Sequence, residues 1–543
     1  MRRQAERERA QQDANAPRAT ALKPGEHNEG VPSLPDEQPC FVINRFDLRG
    51  PDALRFHWLV ESTAPFVDHC IGVQGLSRIA AYLDRQLTEQ GYVTSRVGLG
   101  PQNLATGKVE LRLNMGRIAE IRMVDADQPT KAVDQRWGTW RNAFPTSTGS
   151  LLDARDLEQG VEQMKRLPSQ NVTTTLSPGD LPDTSIVTIE RHTGALTDRL
   201  RGGVTLDNSG GPSLGRAQLS ANVALDNPLG INDVLTLGAN GNVENPSDDH
   251  RSQGISLGYS VPAGYGTLSL NASHSRFAQV VQLPTLPHLS SGDADTASLQ
   301  WQQIVLRTAS SKTGLYAIVS TRQSRSFLDG TELLAQHRRT TSLETGLNFK
   351  RLFAGGASVD AQLGYRRGAS WFDAEADLAP DPVDPGAVPT LRPHLWLLDG
   401  TATLPFEFAQ RAWQFSSTFK GQRTPDHTLS IDQLAIGNRY SVRGFDGDSV
   451  LIAESGWTWR NEVSMPAAPM GIDSSLYLGV DCGRVWGPSD VLLVGQDLAG
   501  AALGMRGRFK ALQFDVAVAA PLGKPSRFHA SPVDFYASTT YAF

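Results

Sequence analysis

The fold class is decided by the stretch Ala217-Gln218-Leu219-Ser220-Ala221-Asn222-Val223-Ala224-Leu225. Its odd-numbered positions are all apolar, and its even-numbered positions are polar apart from one alanine. Because successive side chains of a strand point to opposite faces, the stretch predicts a β-strand with one apolar and one polar face. The same alternation recurs in residues 235–240, 268–273 and 512–518.

From about Arg201 to the C-terminus, strands of about ten residues are separated by turn signals, which is typical of an outer-membrane β-barrel. A soluble β-sandwich would also alternate, with its apolar face turned inward. We favour the barrel because no helical segment interrupts about three hundred residues. Tight turns such as residues 226–230 also alternate with long polar loops such as residues 377–393.

The composition agrees with this interpretation. Hydrophobic residues make up 39% of the 543 residues, and the mean hydropathy is −0.30, as expected when only alternate residues face lipid. No apolar run approaches the ~20 residues that a spanning helix needs, so any membrane role must use strands. A net charge of −6 gives no electrostatic argument for binding nucleic acid.

Tyr541 and Phe543 end the last predicted strand on one face, which fits an interfacial aromatic girdle.

The region before the barrel divides into three parts. Residues 2–15 form helices readily but carry charge on all sides, which predicts either a disordered segment or a helix in a polar cavity; composition alone favours disorder. A linker rich in proline and glycine reaches to about Pro39. Two small α+β units follow, the first over about 40–115 and the second beginning at about 116, and they indicate a binding or docking arm.

Local signals define the elements of these units. The first unit opens with one predicted strand over 41–48 and contains a helix that ends at Gly91. In the second unit a helix follows Asp153, with Asp156 as its capping-box partner. Cys40 and Cys70 both lie in the first unit, and their spacing leaves a disulfide and two free buried thiols equally open.

Two motifs carry the candidate site, Arg439-Tyr440-Ser441-Val442-Arg443-Gly444-Phe445 and Gly479-Val480-Asp481-Cys482-Gly483. Parity places Asp481 on the lumen side of its strand, because its neighbours Val480 and Cys482 point the other way. A guanidinium and a carboxylate inside a barrel can satisfy each other with a bidentate pair. The residues alone favour the alternative, a solvated loop arginine and a pore-lining aspartate that never meet.

The sequence matches the motifs of known enzyme classes poorly. Gly107-Lys108 lacks the spacing and the hydroxyl residue of a phosphate-binding loop, and residues 208–211 lack the first glycine of a nucleophile elbow. The eleven histidines match no metal or nucleophile signature. The sequence therefore predicts a protein that is not an enzyme, with no catalytic residue, cofactor or metal site.

Eight blocks of sequence, in order along the chain, resemble one known family. They are residues 40–43, 70–72, 91–97, 156–160, 207–210, 226–233, 442–445 and 481–483. Together they resemble the TpsB outer-membrane transporters of two-partner secretion, in the BamA superfamily. The resemblance implies a plug helix (1–20), a linker (21–38), two periplasmic POTRA domains (39–115 and 116–195) and a 16-stranded antiparallel transmembrane β-barrel (196–543) with a long inward-folded loop at about 428–455.

The resemblance also implies roles for individual residues. Val442, Arg443, Gly444 and Phe445 correspond to the tip of the inward-folded loop, and Gly479, Asp481 and Gly483 to the barrel-wall motif that holds it. Cys40 and Cys70 match a cysteine pair of the first POTRA domain, and Tyr541 and Phe543 the strand end that targets the barrel to the outer membrane. Since the family usually has an aromatic residue at the position of Gly479, we expect a looser wall contact here.

The implied function is a pore in the bacterial outer membrane, with its POTRA domains in the periplasm. It would recognise the N-terminal secretion domain of a cognate, unfolded TpsA-type exoprotein and pass it to the cell surface. Further partners would be outer-membrane lipid and, during biogenesis, the barrel-assembly machinery; the protein is expected to be a monomer that binds no nucleic acid. A BamA-like insertase, an outer-membrane hydrolase and a diffusion porin are the alternatives, and an adhesin, a haemolysin and a contact-dependent toxin all stay open as cargo.

Overall fold

The computed structural model describes residues 22, 30–126, 133, 137–244, 246–282, 286–383, 388–468 and 471–543. The expected plug helix at 1–20 lies outside these residues, as does most of the first half of the linker. No helix in the described ranges is long and apolar enough to cross a membrane.

The first N-terminal domain packs two helices on a small mixed sheet. Its elements are β1 (Phe41–Ile43), β2 (Arg45–Arg49), α1 (Trp58–Glu61), β3 (His69–Ile71), α2 (Val73–Glu89), β4 (Arg96–Leu99) and β5 (Lys108–Asn114). The sheet order is β2-β5-β4, and β1 pairs separately with β3. The expected single strand over 41–48 is wrong, because the Gly107 carbonyl accepts from the backbone N–H groups of both Asn44 and Arg45 and splits it.

The apolar periodicity of α2 explains its packing. Leu76, Ile79, Leu83 and Leu87 recur every three or four residues and are buried against the sheet. The strand β5 alternates in the same way, with its three apolar side chains inward and its polar ones outward.

The second N-terminal domain contains β6 (Arg117–Asp125), α3 (Ala154–Lys165), β7 (Gln170–Pro178) and β8 (Thr184–Thr193). Its sheet order is β6-β8-β7, and Leu157 and Met164 of α3 pack against it. Asp153 caps α3 by accepting a hydrogen bond from the Arg155 N–H at 2.8 Å. The capping-box prediction for Asp156 is wrong, since its carboxylate accepts instead from the Tyr265 hydroxyl at 2.6 Å.

The rest of the chain is a closed antiparallel barrel, which confirms the predicted fold class. Sixteen long strands of the described residues form its wall, and the last, β27, pairs with the first, β9. The two-residue β16 extends the end of β15, and the hairpin of β21 and β22 stands apart from the wall. The strands are β9 (Leu200–Asp207), β10 (Gln218–Asp226), β11 (Val234–Asn242), β12 (Arg251–Ala263), β13 (Gly266–Gln282), β14 (Pro287–Arg307), β15 (Ser311–Leu328), β16 (Thr331–Glu332), β17 (Arg338–Leu352), β18 (Ser358–Ala369), β19 (His394–Phe408), β20 (Arg411–Arg423), β21 (Leu434–Ile436), β22 (Leu451–Ala453), β23 (Ser455–Ala467), β24 (Asp473–Trp486), β25 (Asp497–Phe509), β26 (Leu512–Gly523) and β27 (Asp534–Ala542).

Alternation along each strand separates a lipid face from a lumen face. In β24 the exposed side chains include Leu476, Leu478 and Val480, whereas Tyr477 and Asp481 at the alternate positions are buried. Since an aliphatic surface of this extent would be costly in water, the outer face is the one that meets the bilayer. Asp481 therefore faces the lumen, as its parity predicts.

Candidate functional site, a loop anchored in the barrel lumen

The site is built on the long connection between β20 and β23, residues 424–454, which we call the lumen loop. Its β21–β22 hairpin pairs Leu434 with Ala453. Apolar side chains of the lumen loop form a buried cluster with β24, β25 and the β26–β27 connection, which fixes the position of its tip. The members of this cluster are Ile436, Val442, Phe445, Leu451, Ala453, Val485, Leu498 and Phe528.

Arg443 at the tip is bound to Asp481 of β24 by three hydrogen bonds. Its Nε donates to Asp481 Oδ2 at 2.7 Å and its Nη2 to Oδ1 at 2.8 Å, so the pair is bidentate. The Arg443 backbone N–H adds a third bond to Oδ2 at 3.0 Å. Asp481 is 0% exposed and Arg443 5% exposed. The contact at Gly479 is thus a bidentate, charge-assisted pair, which is a strong interaction; a contact looser than is usual in the family stays a prediction.

A second carboxylate shares Arg443. Glu462 of β23 accepts from Arg443 Nη1 at 2.7 Å, and its other oxygen accepts from Arg506 Nη2 at 2.6 Å. Arg460 lies 3.7 Å from Asp481 and donates to the carbonyl of Tyr440 in the lumen loop at 3.3 Å. Glu462 was not predicted from the sequence, although its lumen-facing position on β23, directly opposite Gly479, indicates it once the strand register is known.

Glycines make room for the close approach of the tip. A Cβ atom at Gly479 would lie 2.2 Å from Arg443 Nη2, so the guanidinium lies directly on this backbone. At Gly444 the backbone φ is +101°, and a Cβ atom there would lie 2.4 Å from the Ala520 carbonyl oxygen. A Cβ atom at Gly483 would approach Val442 to 3.1 Å. The glycines of both motifs are therefore needed for close contact between loop and wall.

The tip is also bound to the seam where β27 meets β9. The Tyr536 hydroxyl accepts from the Gly444 N–H at 3.1 Å and donates to the Phe445 carbonyl at 2.9 Å. Arg439 Nη2 donates to Asn208 Oδ1 at 2.7 Å, and that same oxygen accepts from the Ala537 N–H at 2.9 Å. These contacts were missed by the sequence analysis, because nothing local links residues so far apart.

The other predicted site residues lie elsewhere. Cys40 and Cys70 form a disulfide where β1 pairs with β3, and Cys482 is a free cysteine on the outer face of β24. Tyr541 and Phe543 stand side by side on the outer face with ring centroids 6.4 Å apart. The Phe543 backbone exchanges two hydrogen bonds with Gly202, so the strand end completes the seam.

On the periplasmic side the second N-terminal domain is docked against the barrel turns. Asn232 Nδ2, in the turn after β10, donates to the Thr139 carbonyl at 2.6 Å. Glu162 of α3 accepts from Arg307 at 3.1 Å and also pairs with Lys312. Burial raises the pKa of Asp156 to about 6, and the hydrogen bond from Tyr265 opposes this shift without cancelling it. The helix α3 therefore presents a row of acidic groups to basic and hydroxyl groups of the barrel.

The described part of the chain contains no group of three or more His, Cys, Asp or Glu side chains that could hold a metal ion.

Comparisons with known proteins agree over the whole chain. The profile of the family described as haemolysin secretion/activation protein ShlB/FhaC/HecB matches residues 183–507. POTRA profiles match residues 41–116, in the ShlB-type form, and 117–178.

Similar full-length proteins point the same way. The outer membrane transporter CdiB-2 of Burkholderia pseudomallei is 35% identical over 95% of this chain and 89% of its own. The hemolysin transporter protein ShlB of Serratia marcescens is 26% identical over 84% of this chain and 77% of its own. The solved structure of CdiB from Escherichia coli superposes with a TM-score of 0.84 at 27% identity, covering 100% of this chain and 98% of that one.

The chain thus belongs to the haemolysin secretion/activation protein family ShlB/FhaC/HecB, and it is a two-partner-secretion transporter with a β-barrel in the outer membrane and two POTRA domains in the periplasm.

Proposed function

We propose that the lumen loop closes the resting channel and that the Arg443–Asp481 pair holds it closed until a cognate TpsA-type exoprotein arrives. The observation that carries this proposal is the bidentate contact of two buried charges at 2.7 and 2.8 Å. A desolvated pair of this geometry is strongly destabilised when one partner is removed. The Arg443–Asp481 pair therefore fixes the lumen loop in one position. The barrel wall around the pair does not depend on it.

The unfolded exoprotein is captured in the periplasm through its N-terminal secretion domain. Within the described ranges, each three-stranded POTRA sheet has two edge strands, β2 and β4 in the first and β6 and β7 in the second. An extended cargo segment can be added to such an edge by main-chain hydrogen bonds, which tolerate most side chains. At the start of β6 the backbone of Ile118 already bonds with Gly149 and Ser150, so cargo would have to pair beyond it. The helix–strand groove beside α2 is the alternative capture surface.

Transport is then a biased diffusion, in which folding of the exoprotein outside the cell prevents its return. The protein works without a catalytic step of its own, as a monomer, and reaches the outer membrane through the barrel-assembly machinery. Assays for esterase and protease activity of the purified protein would reveal an outer-membrane hydrolase, the alternative from another class. A BamA-like insertase would instead promote membrane insertion of other barrels in reconstituted vesicles.

Replacement of Arg443 by Ala tests the proposal. We expect secretion of the exoprotein into the medium to fall at least tenfold, because loss of one partner from a buried pair costs about 3–5 kcal/mol and releases the loop. Secretion is measured by immunoblotting of culture supernatants, with a TpsA-type exoprotein co-expressed as cargo.

The matched control is Arg411→Ala, which removes an exposed arginine at the periplasmic end of β20. Heat-modifiable migration of each variant in electrophoresis shows that the barrel is still assembled. Wild-type secretion by a correctly assembled Arg443→Ala variant would reject the role of this residue.

A further inference from the structure

The outer face of the barrel is uneven at its extracellular end. Three exposed arginines, Arg367, Arg423 and Arg484, lie near the extracellular ends of β18, β20 and β24 on the lipid-facing side. We call them, with the aromatic residues below them, the rim patch. Alternate residues of a strand lie on the same face, and Leu363 on β18 and Leu478 on β24 are exposed to the bilayer. Arg367 and Arg484, on the same faces of these strands, therefore point outward as well.

Aromatic side chains lie beside and just below these arginines on the outer face. Tyr365 and Trp396 have ring centroids 4.9 Å apart, and Trp396 lies opposite Arg423 in the β19–β20 register. Trp457 stacks on Phe419 at 6.3 Å and lies opposite Arg484. Aromatic belts mark the boundary between hydrocarbon and headgroups, so the arginines stand at headgroup height.

Carboxylates of the protein do not neutralise the two arginines of the rim patch on β18 and β20. In the part of the chain that the structure describes, neither Arg367 nor Arg423 has an ion-pair partner. Asp426, the neighbouring acid, accepts from the ring and the backbone N–H of His394 at 2.9 and 2.7 Å. Arg484 differs from the other two arginines, because it donates to Gln496 Oε1 at 3.0 Å and forms a long ion pair with the exposed Asp497 at 3.7 Å.

The opposite arc of the rim is different. There Arg325 pairs with Asp293 at 3.0 Å, His274 with Asp295 at 2.8 Å and Arg339 with Asp373 at 3.6 Å. Three pairs of opposite charge thus form on this arc, whereas Arg367 and Arg423 have no such pair among the described residues. This contrast indicates that the rim patch meets an anionic partner from the bilayer.

We propose that the rim patch binds a phosphorylated glycolipid of the outer leaflet, with its phosphates on Arg367 and Arg423 and its acyl chains along the aromatic and aliphatic face below. Guanidinium groups suit phosphate because they donate two parallel hydrogen bonds. Strand spacing and rise put the two Cα atoms about 12 Å apart, within reach of the two ends of one disaccharide headgroup.

The test uses the full-length protein purified in detergent, with lipid A that carries both phosphates as the probe. Binding is measured by native mass spectrometry during titration. The double variant Arg367→Gln, Arg423→Gln should bind at least tenfold more weakly than the wild type. The control Arg411→Gln, an exposed arginine at the opposite end of β20, should bind like the wild type.

Two further titrations identify the ligand chemistry. Dephosphorylated lipid A should lose the same affinity with the wild-type protein, and a large excess of inorganic phosphate should not displace lipid A. Equal binding by the double variant, or equal binding of dephosphorylated lipid, would overturn the proposal. Displacement by inorganic phosphate would overturn the lipid assignment in favour of a site for free phosphate.

Discussion

At the scale of single residues, the site depends on one buried cation shared between two carboxylates. Arg443 donates to Asp481 and to Glu462, and Arg506 supplies the second positive charge that Glu462 needs. Because burial of an unpaired charge is costly, the four side chains form a unit in which loss of one member weakens the others. This coupling gives the lumen loop one defined position.

Gly479 allows this position, and its replacement by Ala should disturb it. The new Cβ atom would lie between 2.2 and 2.7 Å from three guanidinium atoms of Arg443, so the arginine must leave its place. We expect secretion to fall about tenfold and single-channel conductance in planar bilayers to rise, since the loop is no longer held. The control is Gly400→Ala, where the nearest atom to the new Cβ is 3.9 Å away. Conductance and secretion equal to the wild type would show that Arg443 does not need this space.

At the scale of elements, helix α3 joins the second POTRA domain to the barrel. Asp156, Glu162 and Gln163 contact the turn after β12 and the groups that flank the turn after β14. A docked helix transmits any displacement of the domain to the barrel wall more directly than a flexible linker would. Since burial raises the pKa of Asp156 on this helix, we expect the stability of the docked arrangement to depend on pH.

Asp156 should make this docking more stable in mild acid. Its pKa is raised to about 6, so the native state binds a proton that an unfolded aspartate releases near pH 4. Stability thus increases as the pH falls from 7 to 5. Asp156→Asn should increase the protection of α3 against hydrogen exchange at pH 7.5 by on the order of 1 kcal/mol and remove the pH dependence. The control Asp180→Asn changes an exposed aspartate of the same domain; a pH dependence that persists in Asp156→Asn would assign it to another group.

At the scale of the whole molecule, the barrel is a closed wall whose interior is partly filled by its own lumen loop. The wall closes by the pairing of β27 with β9, and the loop tip is bound to this seam through Tyr536 and through Arg439 with Asn208. Displacement of the loop would therefore remove contacts from the seam as well as from the lumen. Opening of the channel and loosening of the seam are expected to occur together.

Residues 2–15 are proposed to occlude the remaining lumen as a plug, and their deletion tests this idea. A segment charged on all sides is unsuited to an apolar core, whereas the polar, hydrated lumen of a barrel can accommodate it. We expect the deletion variant to conduct ions severalfold better than the full chain in planar bilayers. The scrambled sequence of residues 2–15 serves as the control for chain length. An unchanged conductance after deletion would show that this segment does not occlude the pore.

The elements of this fold could be predicted from the sequence because their signals are local. Alternation in residues 217–225 and the apolar spacing of α2 determine strand and helix within a few residues of each position. Motifs and parity likewise brought Arg443 and Asp481 forward as candidates, though the residues alone could not show that they meet.

Only the tertiary structure decided the contacts between distant residues. Glu462 shares Arg443 because the β23–β24 register places it opposite Gly479. Asn208 contacts Ala537 only because the barrel closes, across 329 positions of sequence. Asp156 takes Tyr265 as its partner instead of its own helix cap, since the POTRA domain docks on the barrel. Strand register, closure of the barrel and docking of the POTRA domain depend on the energy of the whole folded chain. They cannot be predicted from any short stretch of sequence.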